Sequence, residues 1–275
     1  MKKFAKQRVL VTGGGSGLGR ALCLGFAEMG WKVCVADIND ERAEETARLV
    51  VKKGSCAMTF HCDVSKSEDI QALADKVLED WGGIDILVNN AGIATAGFME
   101  KISGEQWDRI IDINLKSVIT SCRIFIPMLE AQGGGHIVNV ASNAGIACLP
   151  EMSCYNVTKA AVISLSETLK SELSPKKIGV SVVAPTFFKT NLMESFQSPD
   201  ERQKKMAETF FKRSRYSAED IAAHIIRSVF KNRLYVITQL DGKFVWYFKR
   251  LCPEIFYRIL AFGNRTKLNE KFMGM

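Results

Sequence analysis

Thr12-Gly13-Gly14-Gly15-Ser16-Gly17-Leu18-Gly19 follows a β-branched apolar run, Arg8–Thr12, and opens a segment, Gly17–Met29, that carries Leu18, Leu22, Phe26 and Met29 at helical spacing. Strand, glycine cluster and helix in that order suit a phosphate-binding turn. Glycine allows the tight reversal, and the close backbone lets amide N–H groups and the helix N-terminus face a pyrophosphate. The candidate contacts are Gly13, Ser16, Gly17, Leu18 and Gly19. A second run, Lys32–Asp37, ends in a carboxylate 18 residues past Gly19. Asp37 can accept the ribose hydroxyls and would repel a 2′-phosphate. Ser16, Ile38 and Asn39 add no compensating positive charge, so NAD is favoured over NADP. The competing reading makes Asp37 a solvated turn residue ahead of a helix.

Working outward, short apolar runs alternate with helix-period segments. Strands are expected at Ala57–His61, Ile84–Asn89, His136–Val140, Ile178–Ala184 and Leu234–Ile237, after the first two. Helices are expected over 41–53 (capped by Asn39), 67–81, from Ser103 towards Leu129, over 153–174, and from Ser217 through Phe230 with a capping-box partner at Asp220. Continuously apolar strands imply a sheet buried on both faces. The alternation implies an α/β doubly wound parallel sheet, Rossmann-type, of about seven strands. With no linker to divide the chain, residues 1–240 read as one domain and 241–275 as its C-terminal extension.

The 275 residues carry a net charge of +7, and 47% are apolar, which excludes a disordered chain. The charge is uneven: residues 1–199 sum to −1 and residues 200–275 to +8. No nucleic-acid-binding motif accompanies it. Eight cysteines without a CxxC pair, and three histidines, offer no zinc spacing, so no metal site is expected. Cysteines within apolar runs suit a reducing cytosol, and no stretch reads as a membrane span.

Tyr155 and Lys159, four apart, share a helix face. An ammonium beside a phenol stabilises the phenolate, lowers its pKa towards neutral and permits proton exchange with an alcohol or ketone. By itself the spacing also fits an amphipathic surface pair. Ser142 follows an apolar strand whose end would face a cleft, where a hydroxyl can hold a reacting carbonyl oxygen.

With these residues assembled, the chain resembles the short-chain dehydrogenase/reductase family in its compact form. The resemblance runs through nearly all of residues 6–237. It rests on Gly13, Gly17 and Gly19 in the turn, Asp63-Val64, Asn89-Asn90-Ala91-Gly92, Ile113-Asn114-Leu115, Ala141-Ser142 and Tyr155-Asn156-Val157-Thr158-Lys159. It implies an NAD(P)-dependent oxidoreductase that interconverts a secondary alcohol and a ketone. Tyr155 would be general acid/base, Lys159 would lower its pKa and bind the nicotinamide ribose, Ser142 would orient the substrate oxygen, and Asn114 would hold a water between Lys159 and solvent. The resemblance also assigns Asp63 and Val64 to the adenine, Asn90, with Ala91 and Gly92, to the sheet and cofactor, and Thr190 to the nicotinamide carboxamide. Simpler roles, a helix cap for Asp63 and a structural hydrogen bond for Asn114, stay open. Where the family usually shows Pro-Gly this chain has Pro185-Thr186, which sets a side chain beside the nicotinamide. Alternatives are an NADP-dependent carbonyl reductase, a non-catalytic cofactor sensor and a membrane-associated binding protein on the same fold.

The lid, about 187–215, holds Phe187, Phe188, Leu192, Met193, Phe196, Met206, Phe210 and Phe211, which suggests a hydrophobic substrate. Its basic residues read as a solvated helix face. Beyond it, Lys243–Leu251 and Ile255–Leu260 interleave aromatic and basic residues around Pro253. This segment either covers the cleft, joins a subunit interface or lies on an anionic membrane. Packing is favoured over lipid, because aromatic stripes are more often core. The family resemblance also implies a homo-oligomer, dimer or tetramer, through the helices ending near Leu129 and Ser174.

Overall fold

A computed structural model describes all of the chain except residues 1–3, 5, 190, 191, 193, 195 and 267–275. Seven parallel strands form one sheet: β1 (Arg8–Thr12), β2 (Lys32–Asp37), β3 (Ala57–His61), β4 (Ile86–Asn89), β5 (Gly135–Val140), β6 (Ile178–Val183) and β7 (Tyr235–Val236). Their spatial order is β3-β2-β1-β4-β5-β6-β7. The chain winds outward from β1 in one direction, then returns to place β4 on the other side of β1. Crossovers of one hand therefore put helices on both faces. The central strands are buried throughout, which is why they read as uninterrupted apolar runs.

The helices in chain order are α1 (Gly17–Ala27), α2 (Asp40–Lys52), α3 (Ser67–Trp81), α4 (Gly104–Ile111), α5 (Ser117–Ala131), α6 (Ala144–Ala147), α7 (Ser153–Glu172), α8 (Glu201–Arg213), α9 (Ala218–Phe230), α10 (Leu240–Leu251) and α11 (Pro253–Arg265). Three strands match their expected limits residue for residue, as does α3. Asn39 caps α2 by accepting from the Arg42 N–H, and Ser217 and Asp220 form the expected capping box on α9. The stretch from Ser103 is not one helix: a π-helical turn, Asp112–Lys116, separates α4 from α5 and carries Asn114.

One core lies on each face of the sheet. Val9, Leu22, Phe26, Trp31, Ile221 and Ile225 belong to the first, and Leu10, Leu73, Leu87, Phe125, Ile137 and Val162 to the second. Across the amino ends of β1 and β4 runs a buried ion pair: Arg8 Nε donates to Asp85 Oδ2 at 3.0 Å, and the Arg8 amide donates to the same oxygen at 2.9 Å. The guanidinium is completed by the Trp81 carbonyl and Gln132 Oε1. Removing one member leaves the other charge buried and uncompensated. Asp85→Ala is expected to lower stability by about 3 kcal/mol, read from urea unfolding, with secondary structure intact below the transition.

The tail forms two helices. The inner face of α10 lies on the protein itself: Gly242 is buried, Val245 and Trp246 pack on the second core, and Lys249 Nζ donates to the Ile146 carbonyl at 2.6 Å. Packing against its own body is thus the outcome for that face. The outer faces of α10 and α11 stay exposed. No helix among the described residues is long and apolar enough to cross a membrane.

Candidate active site

The reversal of strand order between β1 and β4 opens a crevice at their carboxyl ends. Thr12 closes the floor. Its hydroxyl accepts the Asn90 and Ala91 amides at 3.0 and 3.2 Å, while Asn90 Nδ2 donates to the Thr12 and Gly13 carbonyls at 2.9 and 3.1 Å. Asn90 therefore fixes the two loops to each other. Above it the turn is as tight as expected: a Cβ on Gly19 would stand 2.0 Å from the Gly13 oxygen, so only glycine fits. Ser16 precedes α1 with no capping bond from its hydroxyl, and Leu18 is buried. Asp37 Oδ2 accepts the Gly15 amide at 2.8 Å and Oδ1 the Asn39 amide at 2.9 Å, which aims the carboxylate at the mouth of the turn.

Asp63 Oδ1 accepts from the Ser65 amide and hydroxyl at 3.0 and 2.7 Å. Burial pushes its carboxyl up, but these bonds outweigh it and hold the group below the usual carboxylate range. It closes a turn ahead of α3 rather than capping the helix, whose N-cap is Lys66. Val64 packs on the neighbouring core.

On the far side of the crevice, α7 presents Tyr155 and Lys159, both buried. Lys159 Nζ donates to the Val140 carbonyl at 3.0 Å and lies 5.7 Å from the Tyr155 ring centroid. Ser142, two residues past β5, lies beside the Tyr155 phenol and accepts the Ala144 amide at 3.1 Å. Asn114 is fully buried, and its amide grips Ile93: Oδ1 accepts the Ile93 N–H and Nδ2 donates to the Ile93 carbonyl, both at 2.9 Å. The simpler structural role is therefore real. Gly92 leaves open the space between Asn114 and Lys159, since a Cβ there would stand 3.1 Å from Oδ1 and 3.4 Å from Nζ.

One expectation is corrected. The phenol is not lowered towards neutrality by the groups that surround it in the protein. Burial pushes Tyr155 up to about 12, and the Ser142 hydrogen bond recovers only part of that. Burial also brings Lys159 down to about 8. Desolvation outweighs pairing because the lysine spends its proton on a neutral carbonyl with no carboxylate bonded to it.

A second correction concerns Thr186. Its side chain turns to the extension: the hydroxyl lies 3.3 Å from Asp241 Oδ1, and its amide donates to Gln239 Oε1 at 2.9 Å. Pro185 accepts the Asn143 amide at 2.9 Å, which joins this loop to the turn after Ser142. Thr190 and Met193 lie outside the described residues. Leu192 and Phe196 pack on Tyr155, Cys154 and Ile93, whereas Phe187 stacks on Phe210 at 4.9 Å and Phe188 is core. Part of the lid is thus site lining and part is anchoring, and Lys204, Lys205 and Arg213 are solvated.

Residues 7–201 match the family model described as short chain dehydrogenase. The chain belongs to the short-chain dehydrogenase/reductase family. Among curated relatives it is 36% identical over 240 residues to the oxidoreductase EphD of Mycobacterium tuberculosis, covering 84% of this chain and 40% of EphD, so it spans well under half of that relative. SadH of the same organism, also carried under the name of an oxidoreductase, is 33% identical over 267 residues, 96% of this chain and 97% of SadH. A short-chain dehydrogenase/reductase from Burkholderia phymatum, solved in complex with NAD, superposes with a TM-score of 0.88 at 28% identity, over 93% of this chain and 96% of that one. Such enzymes use a nicotinamide dinucleotide, and the glycine turn, Asp37 and the buried Lys159 fit one. Several positioning residues were not foreseen: Arg20, whose guanidinium holds the Gly15 carbonyl at 2.6 Å, Arg42, paired to Glu194 at 2.7 Å, and Gln239. Gln239 reaches Thr186 across 53 positions and Arg42 reaches the lid, whereas Arg20 stands only five residues from Gly15 and is announced by no pattern.

The buried Lys159 gives a test of pH linkage. Its folded value of about 8 lies below the ordinary 10.5, so the unfolded chain binds the extra proton between those values and stability rises with pH there. Below pH 8 the fold bears the cost of the buried charge. Lys159→Met without cofactor should therefore be more stable than the parent at pH 7 by about 3 kcal/mol. The gap should close as pH climbs from 8 to 10.5, as read from melting curves across pH.

Proposed function

We propose that the protein is an NAD-dependent oxidoreductase acting between a hydrophobic secondary alcohol and its ketone. The observation that carries this is the convergence of Ser142, Tyr155 and Lys159 inside an apolar wall of Ile93, Ile110, Cys154 and Leu192, beside a turn that only glycine fits. When bound, the nicotinamide donates or accepts the hydride. The protein's own groups then handle the oxygen and its proton. Ser142 holds the substrate oxygen by hydrogen bond, and Tyr155 exchanges the proton with it. The protonated phenol is the state that donates to a ketone, and Lys159 would bind the nicotinamide ribose beside it. Asp63 and Val64 would border the adenine, Ala91 and Gly92 the dinucleotide, Pro185 and Thr190 the nicotinamide, and Asn114 a water leading to Lys159.

Asp37 supports NAD, since a 2′-phosphate would approach a carboxylate already held in place by two amides. The rival NADP reading rests on Arg42, whose Cβ lies beside Gly15. That guanidinium is engaged by Glu194 and would have to leave it. We further propose residues 1–240 as one catalytic domain, a cytoplasmic setting, and a homo-oligomer through α5 and α7.

The test is a panel of hydrophobic alcohols and ketones followed by NADH absorbance with each cofactor. Tyr155→Phe should lose on the order of a thousandfold or more in kcat/KM while still binding NADH. Asp37→Ala should narrow the preference for NAD over NADP. Full turnover by Tyr155→Phe would overturn the mechanism, and activity confined to small polyols would overturn the substrate class.

A further inference from the structure

The outer surface of the tail is the largest feature that the catalytic reading leaves unused. Among the described residues, eight of the seventeen large apolar side chains left exposed lie between Leu240 and Phe262. They are ordered. Leu240, Phe244, Tyr247 and Leu251 recur at steps of four, three and four along α10, and Ile255, Ile259 and Phe262 at four and three along α11, so each helix shows one apolar stripe to solvent. Leu251 is 77% exposed, Phe244 68% and Ile259 56%. The opposite face of α10 is already committed to the protein through Gly242, Val245, Trp246 and Lys249.

Charge follows the same geometry. Lys243 flanks the first stripe on one side, and Arg258 and Arg265, seven apart, flank the second at the same angular offset. Arg250, on the Lys243 side, is instead held to the body, its guanidinium donating to the Tyr235 hydroxyl at 3.1 Å and lying 3.8 Å from Glu167 and over the Trp246 ring. The two acidic residues, Asp241 and Glu254, sit in first turns, where the helix dipole favours them. Residues 240–266 carry a net +3. Apolar stripes with a basic rail on one edge are the pattern of a helix lying in a membrane interface. A second copy of the chain would bring a surface of the same net positive charge against this one. Charge complementarity therefore selects an anionic partner surface, and the stripes select one with an apolar layer beneath it.

We propose that α10 and α11 dock the protein on an anionic bilayer surface, with the stripes at acyl depth and the basic rail among lipid phosphates. Because Asn143 Nδ2 donates to the Gly242 carbonyl at 3.3 Å and Lys249 grips Ile146, docking sets the turn after Ser142 directly behind the lipid-facing helix. The inference stands on the surface alone and does not depend on which substrate is turned over.

Co-sedimentation of the full chain with phosphatidylglycerol-containing vesicles and with pure phosphatidylcholine vesicles tests it. The full chain should pellet with the anionic vesicles about tenfold better than with the neutral ones, and raised salt should release it. Phe244→Asp combined with Ile259→Asp, both solvent-facing, should stay in the supernatant with an unchanged melting temperature. A second variant, Lys243→Gln with Arg258→Gln and Arg265→Gln, keeps the stripes intact and should lose the preference for anionic lipid. Equal recovery with both vesicle types, or a double variant that pellets like the parent, overturns the proposal. A fall in oligomer mass for the double variant, measured by light scattering, would assign the face to a second copy and equally overturn it.

Discussion

The hydroxyl of Thr12 holds the carboxyl ends of β1 and β4 at one spacing. By accepting the amides of both Asn90 and Ala91, it fixes the loop after β4 to the turn after β1 at the point where the winding of the sheet reverses. The glycine turn can approach a pyrophosphate only if the neighbouring loop neither crowds nor leaves it. The loop in turn positions Gly92 and Ile93, and Ile93 is what Asn114 grips. From there the π-helical turn sets the start of α5, and the neighbouring α7 brings Tyr155 and Lys159 to the opposite wall. A network that begins with one threonine thus reaches both halves of the site.

That geometry is held at an energetic cost. Lys159 is buried with a carbonyl as its bonded acceptor, and the phenol beside it is pushed away from ionisation. Neither is what a fold selected only for stability would choose. Under the proposed function, ribose hydroxyls facing Lys159 would offset part of that cost, and the acid–base poise of the Tyr–Lys pair would be set with the dinucleotide in place.

Most of the fold was legible because its signals are local. Val9, Leu10 and Val11 read as a buried parallel strand from three residues, and Asn39 and Ser217 announce helix starts by side-chain chemistry alone. The core of the candidate site was legible too, since glycine turn, Ser142, Tyr155 and Lys159 carry their spacing in sequence. What escaped was the long-range support. The Arg8–Asp85 pair joins residues 77 apart, and Gln239 reaches Thr186 across 53 positions. The phenol's pKa escapes a sequence reading for a related reason: adjacency on a helix reports a partner, whereas burial depends on every element packed around the pair.

The tail shows the same limit in another form. Interleaved aromatic and basic residues were read as one stripe with one fate, yet the helix period divides them. Val245, Trp246 and Lys249 point to the body, while Phe244, Tyr247 and Leu251 point away. At the start of the same helix, Asp241 and Gln239 hold the Thr186 side chain and amide, so this end of the chain buttresses the loop after Pro185. The outer set faces solvent, and residues 240–266 around it carry a net +3. The positive excess of the last quarter of the sequence is therefore not a property of the catalytic core. It is concentrated on lid and tail, and the part on the tail lies on helices of which α10, by its other face, contacts Asn143 and Ile146 in the turn after Ser142.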